Sequence, residues 1–228
     1  WTIARLANYL PEAVKTEHLA FGMILGTDGK PFKTREGGTV KLSDLLEEAH
    51  SRAANLVEHK NPDLSEAALW EIAEAVAIGA IKYADLSKNR TTDYVFDWDN
   101  MLSFDGNTAP YLQYANTRIH SILDKAEFTP SQTTAVIFTD DTEILLARHL
   151  VWFGEVLTDV SEKGLPHLLC NFLYDLARQF TRFYETCPIN RGELDLEIRS
   201  SRLTLCLATT RVLEIGFSLL GIHSLRKM

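Results

Sequence analysis

The chain has 228 residues, 46% of them hydrophobic and 24% charged, enough for one large or two small domains with a real core. Lys and Arg number 23 against 31 Asp and Glu, a formal charge of −8, which excludes a globally basic nucleic-acid binder because non-specific grip on phosphates needs net positive surface. Only 12 glycines and 7 prolines occur among apolar residues spread along the whole length, which excludes intrinsic disorder. No uninterrupted apolar run reaches about 18 residues, so no membrane-spanning helix is predicted. Cys170, Cys187 and Cys206 are odd in number, far apart and flanked by apolar residues, the usage of buried reduced thiols in a cytosolic protein.

The opening Trp1-Thr2-Ile3-Ala4-Arg5 is no signal peptide and lacks Met, so the chain reads as a fragment whose N-terminal side was removed. Residues 1–40 hold five glycines. His18 to Leu25 reads as a short strand and Thr27-Asp28-Gly29-Lys30-Pro31 as a turn, with Gly29 supplying positive φ. From Ser43, read as a cap, the period becomes helical, with Leu42, Leu45, Leu46, Ala49, Ala53 and Leu56 on one face. Asn61-Pro62-Asp63 breaks that helix. Ser65 starts a second, with Leu69, Ile72, Ala73, Val76 and Ala80 inward and Glu66 at its positive end. Asp93 to Trp98 alternates as a short strand, and Ser103 to Thr108 is a loop. Thr108 then caps a helix with Pro110 in its first turn, running to about Lys125. Asp140 or Asp141 opens a helix through Leu150 and Leu157 to about Glu162. Another runs from Leu168 to about Glu185, and the last from about Glu197 to Leu220, closing at Gly221. Long amphipathic helices with short links make a bundle.

The polar chemistry is uneven. Lys30, Lys33 and Arg35 put three cations in six residues beside Gly37 and Gly38. A mobile loop of this kind can bring ammonium groups to a polyphosphate, although it lacks the Walker spacing, and the alternative is a solvated basic turn. Seven scattered histidines and the lack of a C-x-x-C pair point away from metal chemistry. Asp97 and Asp99 read as part of a structural turn. Tyr111 and Tyr114 lie three apart after the Asp105-Gly106-Asn107 turn, with Gln113 between them and Arg118 one turn beyond. An exposed pair of rings beside an amide-rich loop is how unstacked bases are gripped; the alternative is that both rings close the core. Residues 199–228 carry five cations against Glu214 alone, whereas residues 42–75 carry eight acids against Arg52 and Lys60. The last helix is therefore expected to face phosphates.

Three blocks in order, Gly29 to Leu42, Tyr83 to Arg90 and Asn107 to Ala115, together with the closing Leu219-Leu220-Gly221-Ile222 and Met228, resemble the bacterial-type arginyl-tRNA synthetases. The resemblance implies a mainly α fold: a helical-bundle anticodon-binding domain of class I synthetases, preceded by a short α/β remnant of the catalytic domain. It implies three parts, residues 1–42 with the KMSKS-like loop, a helical linking region over 43–107 and the anticodon-binding domain over 108–228. Lys30-Pro31-Phe32-Lys33-Thr34 would stand in the KMSKS position, so Lys30 and Lys33 would be catalytic and, with Thr34, would hold the ATP phosphates while arginyl-adenylate forms. Ser103, Phe104, Asp105, Gly106, Asn107, Thr108, Tyr111, Tyr114, Arg118 and Met228 would shape the tRNA site. ATP with Mg2+, arginine and the tRNA for arginine are the implied cofactors and partners of the full-length enzyme, a cytoplasmic monomer. The 228 residues alone are expected to hold no cofactor and to be inactive in adenylate formation. Two alternatives are a non-enzymatic helical scaffold docking a protein partner and the anticodon-binding part of another class I synthetase.

Overall fold

The computed structural model describes residues 1–31, 41–128, 136–190 and 194–228. It opens with a single helical turn, α1 (Thr2–Leu6), and a two-residue strand, β1 (Ile24–Leu25). The strand expected from His18 is thus realised only at its end. β1 pairs in parallel with β2 (Tyr94–Val95), Ile24 opposite Tyr94 and Leu25 opposite Val95. Asp93 ties the pair further by accepting the Met23 N–H at 2.7 Å. Gly22 is required here, because a Cβ would stand 2.5 Å from the Thr92 carbonyl.

Two hydrophobic cores follow. The first lies between α2 (Leu42–Lys60) and α3 (Glu66–Leu86). Ala49, Ala53 and Val57 recur every fourth residue and meet Ile72, Ala73, Val76 and Ala80, one helical stripe against another. α2 begins before Ser43, with Lys41 as its N-cap, and Ser43 hydrogen-bonds Asp44 instead. Leu42, expected inward, is exposed because the first turn of α2 projects beyond the core. α3 starts as read, with the Ser65 hydroxyl accepting the Ala68 N–H. The short α4 (Trp98–Met101) is capped by Asp97, which accepts the N–H groups of Asp99 and Asn100, so this carboxylate serves the turn.

The second core is built by α5 (Ala109–Lys125), α6 (Asp141–Val151), α7 (Phe153–Lys163), α8 (His167–Thr186) and α9 (Leu196–Leu220). Thr108 caps α5 by accepting the Tyr111 N–H at 3.2 Å, and its own hydroxyl donates to the Ser103 carbonyl at 2.6 Å, closing the 103–108 loop. Asp140 caps α6 in a reciprocal box with Glu143, which satisfies two orphan helix-end donors. The single helix expected from there to Glu162 is broken at Trp152, leaving α6 and α7 as separate elements. α8 and α9 approach closely at Gly216, where a Cβ would sit 2.6 Å from Leu173. α9 is long and apolar enough to cross a membrane by length and composition, but half of that window is buried inside the bundle, as a central core helix requires.

After α9 the chain turns at Gly221, with φ +66°, and residues 222–228 run back over both cores. Lys82 donates to the Gly221 carbonyl. The fully buried Gln113 donates to the His223 carbonyl at 2.9 Å, and the fully buried Asn116 to the Leu225 carbonyl at 3.3 Å. Leu225 enters the α2–α3 core, with Met228 packed against it.

Candidate nucleic-acid interface

A row of rings and cations runs from Lys60 at the end of α2 to Tyr184 near the end of α8. The Lys60 ammonium stands 4.5 Å from the centre of the Phe104 ring. Phe104 meets Tyr114 edge-on at 6.3 Å. Arg118 is one turn beyond Tyr114 on α5, and its guanidinium lies 4.7 Å over the Tyr184 ring. From there an open groove of about 770 Å³ continues between α5 and α8, lined by Arg118, Ser121, Lys125, Tyr184, Pro188 and Asn190, among others. Rings offer π-faces to bases of any sequence, and interleaved cations neutralise the phosphates between them.

The sequence-predicted residues divide among several tasks. Tyr114 is 47% exposed and stands in the row. Tyr111 does not share its exposure: it is half-buried against the core, with Tyr174 of α8 at 5.6 Å. The expected exposed pair is therefore one exposed ring and one packed ring, because α8 covers the Tyr111 side of α5. Phe104 and Arg118 are in the row. Ser103 and Thr108 are spent on closing the loop, and Ser103 also accepts the Asp105 N–H. Gly106 supplies φ +85°, leaving Asp105, Gly106 and Asn107 exposed at the loop tip. Asn107 is held from both ends. Its Oδ1 lies 2.6 Å from the Tyr83 hydroxyl, and its Nδ2 donates to Asn171 Oδ1. Burial, with nearby negative charge adding to it, pushes the Tyr83 phenol far above its ordinary value, so it stays a protonated donor. Met228 packs on the cluster containing Leu102, next in chain to the 103–108 loop.

Of the three arginines on the last helix, which was expected to face phosphates, only Arg211 is presented to solvent. Arg202 is only 7% exposed and pairs with the fully buried Glu143 at 2.6 Å. Burial alone would raise the Glu143 carboxyl, but the Thr139 N–H and the Arg202 guanidinium more than offset it and hold it below its ordinary value. Arg199 is half-buried and bonded to the backbone at Ile189. Arg211, Arg226 and Lys227 remain exposed.

Lys30 is exposed on the turn after β1, where Gly29 takes φ +72° and Asp28 accepts the Lys30 N–H at 3.1 Å. Its ammonium suits a phosphate contact. Lys33 and Thr34 lie outside the described residues. Among the described residues no group of His, Cys, Asp and Glu side chains is arranged to hold a metal ion. His167 and Cys170 do stand one turn apart on α8, but burial pushes the Cys170 thiol up to about 12, far from a ligating thiolate at neutral pH. Lys60, Lys125 and Tyr184 were missed by sequence reasoning. The available signal was a tyrosine closing the aromatic stripe of α8, where a fully buried ring would be phenylalanine.

Comparison with known proteins identifies the family. The family model for the catalytic domain of class I tRNA synthetases (R) matches residues 1–98, and that for the DALR anticodon binding domain matches residues 112–228. The arginine–tRNA ligases of Escherichia fergusonii and of Enterobacter sp. strain 638 are each 56% identical over 230 aligned residues, covering 100% of this chain and 40% of the relative. The chain thus spans about 40% of the length of the curated relatives it matches. Among solved structures, the arginyl-tRNA synthetase of Plasmodium falciparum superposes with a TM-score of 0.82 at 32% identity, covering 100% of this chain and 38% of that one. That of Thermus thermophilus gives 0.77 at 33% identity over 92% of this chain and 35% of that one.

Proposed function

The chain belongs to the class I arginyl-tRNA synthetases and carries their DALR anticodon-binding domain; from that membership we propose that it serves the ATP-driven attachment of arginine to its tRNA, gripping the anticodon arm along the ring-and-cation row. The observation that carries this reading is the set of ring contacts formed by Lys60 on Phe104, Phe104 on Tyr114 and Arg118 on Tyr184. Such a path fits unstacked bases with their phosphates. The scaffold alternative is not favoured.

The whole reaction is proposed to run through arginyl-adenylate, with arginine and ATP as substrates. Lys30, and with it Lys33 and Thr34, would meet the ATP phosphates, where flexible ammonium groups follow charge as it develops. Mg2+ would come with the nucleotide, held mainly by phosphate oxygens and water. Residues 1–42 would belong with the catalytic domain, 43–107 would link, and 108–228 would read the tRNA. The two separate cores support the boundary near residue 107, whereas the catalytic-domain match runs on to residue 98. We place the protein in the cytoplasm as a monomer, in keeping with three free, buried cysteines.

The test is binding of this chain to the tRNA for arginine and to a non-cognate tRNA at fixed salt. The cognate tRNA should bind at least about tenfold more tightly, the size of one well-made base contact. Arg118→Ala, which removes the cation over Tyr184, should erase much of that affinity. Equal affinity for both tRNAs would sink the reading.

A further inference from the structure

One wall of the groove below Arg118 is the bend at residues 188–190, which lies between α8 and α9 and belongs to neither. It is held from α9. Arg202 Nη1 donates to the Pro188 carbonyl at 2.7 Å. Arg199 Nε donates to the Ile189 carbonyl at 3.2 Å, and its Nη2 to Asn190 Oδ1 at 3.1 Å. From the other side, Asn190 Nδ2 donates to the Ile122 carbonyl of α5 at 3.2 Å. The bend thus bridges α9 to the facing wall, and its position sets the width of the groove.

Arg202 is anchored in turn. Its Nε meets Glu143 Oε1 at 2.6 Å, and its Nη2 donates to Thr139 Oγ1 at 3.0 Å. Glu143 also accepts the N–H groups of Thr139 and Asp140. Taking two ions out of water costs about what their attraction returns, and apolar pairs of similar volume often leave a protein as stable or more so. Glu143 already has one task, capping α6, but that task does not need the Arg202 charge, so the pairing itself calls for a reason other than stability. Here its remaining donors are aimed at a loop and at the groove wall.

We infer that Glu143 and Arg202 are a positioning pair for tRNA binding: they fix the 188–190 bend as the wall of the groove, and their charges add little to stability beyond the cap that Glu143 gives α6. The inference rests on the reading that the groove receives tRNA. Arg202 acts through the bend, since its burial keeps it from the nucleic acid.

The experiment replaces both ions at once. Glu143→Gln with Arg202→Met removes both charges and leaves an amide oxygen to accept the Thr139 and Asp140 N–H groups that cap α6. Thermal unfolding should occur at the same temperature or higher, while affinity for the tRNA for arginine falls about tenfold, the lower end of what one stacked base contributes. The slope of log Kd against log salt should stay at its wild-type value, because Arg202 touches no phosphate, whereas Arg118→Ala measured alongside should lower it. Arg202→Lys keeps the charge but cannot span several acceptors, and should also weaken binding. Three results would overturn the inference: unchanged affinity in the double variant, a fall in its unfolding temperature that marks the pair as a stability element, or unchanged affinity in Arg202→Lys. If Arg118→Ala leaves binding untouched, the groove is not the tRNA site and the inference falls with that reading.

Discussion

Tyr111 and Tyr114 are three residues apart on α5 yet have different tasks. Three residues advance a helix by about 300°, so the two rings diverge by about 60°, and the edge of α8 falls between those directions. Tyr114→Ala should weaken tRNA binding by about 1–3 kcal/mol with little change in thermal stability. Tyr111→Ala should lower the unfolding temperature, because it opens a cavity against Tyr174. Binding titrations paired with thermal scans of both variants check this, and the reverse pattern would exchange their roles. Tyr114, Phe104 and Arg118 were legible in the sequence because they lie within one loop and helix, where spacing fixes who shares a face. Tyr184 and Lys60 were not, because their contacts depend on how α8 and α2 pack against that helix. Packing distance is a property of two elements, and no local period encodes it. For the same reason Arg202 read as a surface cation: its partner Glu143 stands 59 residues away.

At the level of elements, helix starts were the most legible feature. Ser65, Thr108 and Asp140 each supply a side-chain acceptor to their own helix, as local hydrogen-bond chemistry demands. The break at Trp152 was hidden, since apolar residues continue through it and no Gly or Pro marks the joint until Gly154. β1 is shorter than the strand expected from His18 because an apolar stretch lengthens into a strand only where a neighbour supplies the ladder, and β2 offers two residues. Gly216 gives a measurable case of helix packing. Ala is favoured over Gly within a helix by about 1 kcal/mol, but its methyl would press on Leu173, and overpacking costs about 1–3 kcal/mol. Gly216→Ala should therefore lower the unfolding temperature, and a rise would mean that α8 yields without strain.

Across the whole molecule the charge of −8 is compatible with tRNA because three cations stand beside the rings, against Glu185 in the groove. Lys60, Arg118 and Lys125 line the row and its groove, and three phosphate contacts predict a slope of about −2 for log affinity against log salt. Titrations between about 50 and 200 mM salt should then lose roughly twentyfold in affinity. A flat response would show that these cations contact no phosphate. The acidic α2 and α3 repel polyanions elsewhere, which favours one docking pose over many. The return of residues 222–228 over both cores bears on how the protein comes off the ribosome. Gln113 and Asn116 wait for carbonyl partners about 110 residues later in the chain, and the α2–α3 core waits for Leu225. The α2–α3 core, made long before residue 225, is thus closed late. Until residue 225 is free of the exit tunnel, two buried amides lack their closing bonds and an apolar gap stays open between α2 and α3, so the chain stays exposed to misassembly for as long as that segment is held.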